Sequence, residues 1–153
     1  MSKSVERVRQ VADDLGLEIV VLEMPASTRT AEEAAATCGV ELDQIVKSLI
    51  FASVGGDLHL FLMAGGSRLD MKVAAKVAGV ALERADADQV RSETGFAIGG
   101  VAPIGHLSRL PTYMDPRLLD FDGVVAAAGT PRHVFTVSPK ALVEATGASL
   151  LPR

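Results

Sequence analysis

The sequence predicts a single α+β domain, and three observations carry that expectation. Short runs rich in Ile, Val, Leu and Phe alternate irregularly with capped amphipathic segments, without the steady strand-helix-strand rhythm of a doubly wound sheet. At 153 residues the chain has the size of one domain with a sizeable core, so one domain is expected over 1–153. A composition of 48% hydrophobic and 22% charged residues excludes a disordered or fibrous chain.

The elements follow in order. Val5, Val8, Val11, Ala12 and Leu15 fall on one helical face, and Gly16 is placed to end that helix. Glu18 to Met24 is a β-branched run closed by Pro25 and reads as a strand. Thr30-Ala31-Glu32-Glu33 is a capping box, opening an Ala-rich helix that Gly39 stops. Ile45 to Ala52 reads as a strand that turns at Gly55-Gly56 into a partner strand, Leu58 to Ala64. Gly65-Gly66 breaks that strand. Asp70 then caps a helix through Val77, with Gly79 behind it and a short strand near Val80 to Arg84. Asp86 to Gln89 repeats the capping-box pattern, and Gly95 ends a short helix before the glycine-rich segment Gly99 to Gly105. Thr112 to Met114, Gly123 to Ala128 and His133 to Val137 read as strands. Ser138-Pro139 starts a last helix over Lys140 to Thr146, ended by Gly147.

Several functional classes are excluded or disfavoured. The single cysteine, Cys38, excludes a disulfide framework within the chain and points to a reducing compartment, so the cytoplasm is expected. The charged start of the chain lacks the apolar run of a signal peptide, and no segment approaches the roughly 20 apolar residues of a membrane span. No closely spaced His/Cys pair suggests a metal site, and neither metal nor cofactor is expected. A net charge of −4 excludes a wholly basic surface while leaving room for a local basic patch. No serine has the G-x-S-x-G context of a hydrolase elbow.

Three features could carry chemistry. Lys47 lies in an otherwise apolar strand, either as a strand-end lysine reaching water or as a cation at the lip of a pocket. Gly100 to Gly105 has the spacing of a phosphate loop but continues His106-Leu107, so the nucleotide motif fails. Its glycines still permit close approach to a ligand, or simply form a tight turn. Arg68, Lys72 and Lys76 recur every four residues and would form one basic stripe if helical, a solvated face or a footprint for RNA phosphates. His59 alternates along a strand and reads as a surface residue, and Cys38 as a small packed hydrophobe.

Taken together, Thr30 to Ala35, Gln44 to Phe51, Arg68-Leu69-Asp70 with Lys72, Thr94 to Gly105, and Gly147-Ala148 resemble the YbaK family, also called the prolyl-tRNA synthetase associated domain. The resemblance covers most of the chain in the right order. It implies a compact domain around a mixed, partly closed sheet surrounded by helices, and hydrolysis of aminoacyl esters from mischarged tRNA by a free-standing editing deacylase. Such an enzyme would act on tRNA-Pro or a related tRNA carrying a small amino acid, with an aminoacyl-tRNA synthetase as a further partner.

By position, Lys47 matches the family's active-site lysine, Gly99 and Pro103 its Gly-x-x-x-Pro loop, and His133 a histidine that follows a glycine turn. The resemblance implies that Lys47 holds the terminal adenosine or the ester and that amides near Gly99 and Gly100 bind the carbonyl oxygen. His133 would contact the aminoacyl group or orient water. Thr30, Ser48, Pro103, Gly105 and Gly129 are expected around the substrate, and Arg68, Lys72 and Lys76 along the tRNA. Branches that clear cysteine carry Thr after the lysine and Lys/Arg-Gly at the histidine. Ser48 and His133 depart from that pattern. A noncatalytic tRNA-end or synthetase-binding module is the competing reading, and hydrolysis of small esters unrelated to tRNA a third.

Overall fold

A computed structural model describes residues 2–153. Among the described residues five helices surround eight strands, which form two open sheets. The opening helix α1 (Lys3–Asp14) is capped by the Ser2 hydroxyl and buries Val5, Val8 and Ala12. After β1 (Val20–Glu23), helix α2 (Ala31–Cys38) starts on the complete Thr30/Glu33 capping box and ends on left-handed Gly39. A 3-10 turn at Leu42–Gln44 leads into the hairpin β2 (Val46–Ser53) and β3 (Leu58–Ala64). Then come α3 (Met71–Ala78), β4 (Leu82–Arg84) and α4 (Ala87–Thr94). The chain closes with β5 (Thr112–Met114), a 3-10 segment Pro116–Asp120, β6 (Val124–Ala127), β7 (His133–Val137), α5 (Pro139–Thr146) and β8 (Ser149–Leu150).

One sheet has the order β4-β2-β3-β5-β8, antiparallel through β4, β2 and β3, and parallel from β3 through β5 to β8. The other is antiparallel in the order β1-β7-β6. The expected α+β class is the one observed, but the β-structure is not one partly closed sheet. Among the described residues one isolated parallel bridge, Ile45 to Val125, joins the two sheets by hydrogen bonding, and their inner faces share one apolar core. Strand β3 is buried throughout because both its faces are covered. On one face Leu60 and Leu62 join Val8, Phe96, Met114, Phe135 and Leu142, and on the other Phe61 and Met63 join Ala74 and Tyr113.

That double coverage overturns the surface reading of His59. The ring is buried, its Nδ1 lies 3.1 Å from the Tyr113 hydroxyl, and the two rings stack. Alternation marks a solvent face only when one face of the sheet is wet, and β3 has none. The capping pattern at Asp86 is half made, since its carboxylate accepts from the Gln89 amide while the Gln89 side chain turns to Gly56 O and Glu93. Cys38 packs against Ala31, Ala34 and their neighbours as expected, and burial pushes its thiol pKa up. No helix among the described residues is long and apolar enough to cross a membrane.

The segment between α4 and β5 is held to α1 by side chains. The Arg7 guanidinium donates to Gly105 O at 2.6 Å and to Thr94 O at 3.3 Å, tying the two ends of the glycine-rich loop together. It also lies 4.6 Å from the centre of the Phe96 ring, against whose edge His106 packs. His106 Nε2 sits 2.7 Å from Ala102 O, so the neutral ring donates there. Burial is the main cause that lowers the His106 pKa, and Arg7 adds to it against the opposing pull of the Ala102 carbonyl. As pH falls through about 6.5, the unfolded chain takes up a proton that the native ring refuses, so stability is lost until the native ring protonates as well. Urea midpoints measured across this range should fall toward acid in the wild type, with a shallower fall in His106→Asn; identical pH profiles would contradict this role.

Candidate active site

Strand β2 is paired along its whole length with β3, but on its other side it meets β6 only at Ile45 and β4 only from Phe51 to Ser53. Between those points its edge is open. The β3 amide of Leu60 and carbonyl of Leu62 bond toward the β5 side, so Phe61 and Met63 face β2 and bond Leu49 and Lys47. Ser48 therefore turns its peptide N–H and C=O away from β3, toward the open edge. Its hydroxyl is buried and has no hydrogen-bond partner among the described residues. A buried polar group left unpaired costs about 1–3 kcal/mol, so this position is unfavourable until something occupies it.

The open edge lines a cleft of about 370 Å³. Its floor is Ile45 to Leu49. One wall is the start of α2 with the loop before it, from Thr28 to Ala34, and another is Val125 to Ala127 with Val134. Ile98, Gly99 and Val101 close it from the glycine-rich loop. Most of the lining is small and apolar. Its polar groups are those of Thr28, Arg29, Thr30, Glu32, Lys47, Ser48 and the main chain. The Lys47 ammonium donates to Ser67 O at 2.6 Å, which fixes its direction and leaves two of its three protons for another acceptor.

The Gly99 loop approaches closely because it lacks side chains. Gly99 has φ +92°, and a Cβ there would fall 2.7 Å from Cγ of Arg29, whose stem lies across it. The Gly99 amide donates to no group among the described residues, whereas the Gly100 amide is spent on Ala97 O at 3.0 Å. Gly100 is buried outside the cleft, where a Cβ would meet the Thr130 backbone at 2.8 Å. It is the neighbour that lets the loop seat, and the expectation that its amide meets a carbonyl oxygen is corrected. Only Gly99 of the pair faces the opening.

Thr30, Lys47, Ser48 and Gly99 are thus brought together, and the other expected site residues are not. His133 extends from the opposite face of β7 to Val134, which lines the cleft. Its Nδ1 is 2.6 Å from the Thr130 hydroxyl and its Nε2 3.5 Å from a Glu23 carboxylate oxygen, so it secures the turn against which Gly100 packs. Pro103 is buried behind the loop, and Gly105 packs on Val8 and Phe96. Gly129 has φ +103° and lies against the Ser4 backbone, where a side chain does not fit. Helix α3 begins at Met71, so Arg68 precedes it and the expected helical stripe reduces to Lys72 and Lys76. Arg68 instead lines a separate cleft with Asp43, Ser67, Arg117 and Arg153. Sequence reasoning missed Arg29 and Ile98 at the mouth and Arg7 behind the loop, since the two arginines belong to no motif and Ile98 is one apolar residue among several in the Thr94 to Gly105 segment.

Family comparison decides what this arrangement belongs to. Residues 25–145 match the model of the aminoacyl-tRNA editing domain. The chain belongs to the aminoacyl-tRNA editing domain family. Every residue lining the cleft lies within that matched span. The editing domain is 33% identical to the uncharacterized protein YwhH of Bacillus subtilis (strain 168), over 92% of this chain and 90% of that protein. It is 26% identical to the "Putative Cys-tRNA(Pro)/Cys-tRNA(Cys) deacylase EbsC" of Enterococcus faecalis (strain ATCC 700802 / V583), over 76% of this chain and 72% of that one. Among solved structures it is similar to "a putative trans-editing enzyme for prolyl tRNA synthetase", with TM-score 0.89 and 47% identity over 98% of this chain and 96% of that one.

The contact between Gly100 and Thr130 is backbone to backbone, so Gly100→Ala in this editing domain should cost about 1–3 kcal/mol by overpacking. Denaturant unfolding of the variant measures this, and an unchanged midpoint would show that the loop does not need the close approach.

Proposed function

We propose that this editing domain is a free-standing aminoacyl-tRNA deacylase, acting in trans on a mischarged tRNA, with tRNA-Pro carrying a small amino acid as the favoured substrate. The observation that carries this reading is the cleft on the open edge of β2, where Lys47, Ser48 and Gly99 converge in a member of the editing-domain family. Supporting it are near full-length similarity to the structure of "a putative trans-editing enzyme for prolyl tRNA synthetase", and cleft walls built from Ala31, Ala34, Ala126, Ala127 and valines, which suit a small acyl side chain.

The reaction adds the oxygen of water to the ester carbonyl carbon and breaks the bond from that carbon to the ribose oxygen. The departing oxygen takes up a proton, and the amino acid leaves as a carboxylate after losing its own. An aminoacyl ester is already activated, so positioning water and stabilising the oxyanion suffice without an enzyme nucleophile. The free amides of Ser48 and Gly99 and the Lys47 ammonium are the donors available for the developing charge. Thr30 keeps its hydroxyl proton for the substrate, because its oxygen accepts from the Glu33 amide in the capping box. His133 acts through Thr130 on the seating of the loop, without touching the ester. Lys72 and Lys76, exposed on α3, and Arg68 before it would contact tRNA phosphates.

A small pocket gains only about 10 to 200-fold per methylene, which is the physical reason a separate hydrolytic site is useful. Deacylation of tRNA-Pro charged with Ala, Cys, Ser or Thr tests the proposal. Wild type should clear at least one ester, and Lys47→Ala should do so on the order of 10² to 10³ more slowly, the range for losing one oxyanion donor. Equal rates would remove Lys47 from the mechanism. No turnover on any ester would favour a noncatalytic binding module.

A further inference from the structure

The smaller sheet, β1-β7-β6, ends in a bare edge. On its β6 side strand β2 approaches at Ile45, but among the described residues no strand pairs the far side of β1. The Met24 amide donates to Arg132 O and the Ala128 amide to His133 O, so the even-numbered residues of β1 bond β7 and the odd-numbered ones face away. The N–H and C=O groups of Val21 and Glu23 therefore point outward, a template for another strand. Strand β1 contains neither lysine nor proline, the residues that commonly blunt such an edge. Beside it, Val20 is 68% and Leu22 51% exposed, on the face of the sheet that α2 covers only further in, around Val125 and Val134. Four exposed charges flank these two side chains. Arg9 shares a shallow cleft with Ile19 and Val20, and Glu18 shares another with Thr136 and Ser138, which carries the register of β1 on β7 outward. Glu23 and Arg132 lie at the other end. Arg9, Glu18 and Arg132 form no ion pair among the described residues.

We propose that β1 pairs antiparallel with β1 of a second copy of this chain, joining two three-stranded sheets into one of six strands. A two-fold axis makes such a contact self-complementary, and only the outward-facing residues can exchange bonds, so the axis falls at Val21. The two Val21 residues then exchange N–H and C=O, and Ile19 pairs with the partner's Glu23. In this register Val20 stands opposite the partner's Leu22, and Leu22 opposite the partner's Val20, so each bare side chain gains an apolar cross-strand neighbour. Charge selects a second copy over an unrelated strand. On the same face Glu18 falls beside the partner's Met24, within reach of the partner's Arg132 one strand further on. On the opposite face the partner's Glu23 falls across from Ile19, beside Arg9. Symmetry repeats both pairs, so four contacts of opposite charge ring the apolar centre. A slip of two residues one way puts Leu22 against the partner's Glu18, and a slip the other way parts Glu18 from the partner's Arg132. This contact is independent of the reaction proposed for the β2 cleft and leaves that edge open, although Leu22 pairs with Val134 of the cleft wall.

Sedimentation equilibrium of the intact protein from about 10 μM to about 1 mM covers the affinities of an interface this small. The average mass should rise from 16.0 kDa toward twice that value. Val20→Lys sets a charge against the partner's Leu22, and Val21→Pro removes the central amide while sparing the ladder to β7. Each should weaken association about tenfold or more. Glu18→Arg and Arg132→Glu should each weaken it about tenfold, because two symmetric pairs become repulsive at once. Mixed in equal amounts, these two charge variants should associate as tightly as wild type, since every inverted charge then meets its opposite across the interface. Mixing would not cure a folding defect. A constant mass of 16.0 kDa at all concentrations overturns the proposal, leaving the edge to a different partner or to none. Association that Val20→Lys and Val21→Pro leave unchanged overturns it too, by placing the contact elsewhere, as do charge variants that stay as weak together as apart.

Discussion

The unpaired stretch of β2 is the constraint on which the rest of the structure depends. A strand with one side of its peptide groups unbonded is unfavourable when buried and hazardous when exposed. Here it is neither sealed by a neighbouring strand nor left flat to solvent. Strand β4 pairs only from Phe51, β6 touches only Ile45, and between them the Gly99 loop and the start of α2 stand off from the edge by the width of a cleft. The chain thereby presents backbone donors and acceptors at a fixed position on a strand whose other edge is locked into the buried centre of the larger sheet. A site mounted in this way needs no mobile part to aim its polar groups.

Two sets of contacts keep the opening at that width. Arg7 reaches from α1 to both ends of the glycine-rich segment and covers Phe96, so the loop is clamped at its roots. The middle of the loop is gauged by Gly100 against the Thr130 backbone, and Thr130 is in turn held by His133. On the far side, the chain after β3 runs so close to the Leu42 backbone that Gly65 has no room for a side chain, the Gly66 amide donates to Asp43, and Ser67 O lies where it fixes the Lys47 ammonium. The ammonium, the loop and the open edge are thus positioned by contacts that lie outside the cleft.

Much of this was legible in the sequence, and the pattern of misses is physical. Helix starts and stops were readable because caps are local. Thr30, Asp70 and Ser138 open helices, and Gly39, Gly79, Gly95 and Gly147 close them in the left-handed conformation. Lys47 could be singled out because it interrupts an apolar strand, Ser48 only through the family resemblance, and Gly99 because its segment is dense in glycine. The split into two sheets was not legible, since it depends on which residues of β2 fail to find a partner, a long-range property. For the same reason His59 was read as exposed although a second layer covers its face. Gly100, Pro103 and Gly105 belong to the same motif as Gly99, and Gly129 and His133 to a family turn, but motifs do not separate residues that face a ligand from those that let the backbone approach. Arg7 carries no signal at all, because its partners are main-chain oxygens about 90 residues away in sequence.

The central claim is that the open edge of β2 is where an acyl group meets the protein. A crystal structure with a non-hydrolysable 3′-aminoacylamido-adenosine tests it most directly. The account predicts the acyl carbonyl within hydrogen-bond reach of the Ser48 or Gly99 amide, with the Lys47 ammonium beside it. An acyl group seated elsewhere, in the Arg68 cleft or against His133, with the β2 edge still unoccupied, would contradict it.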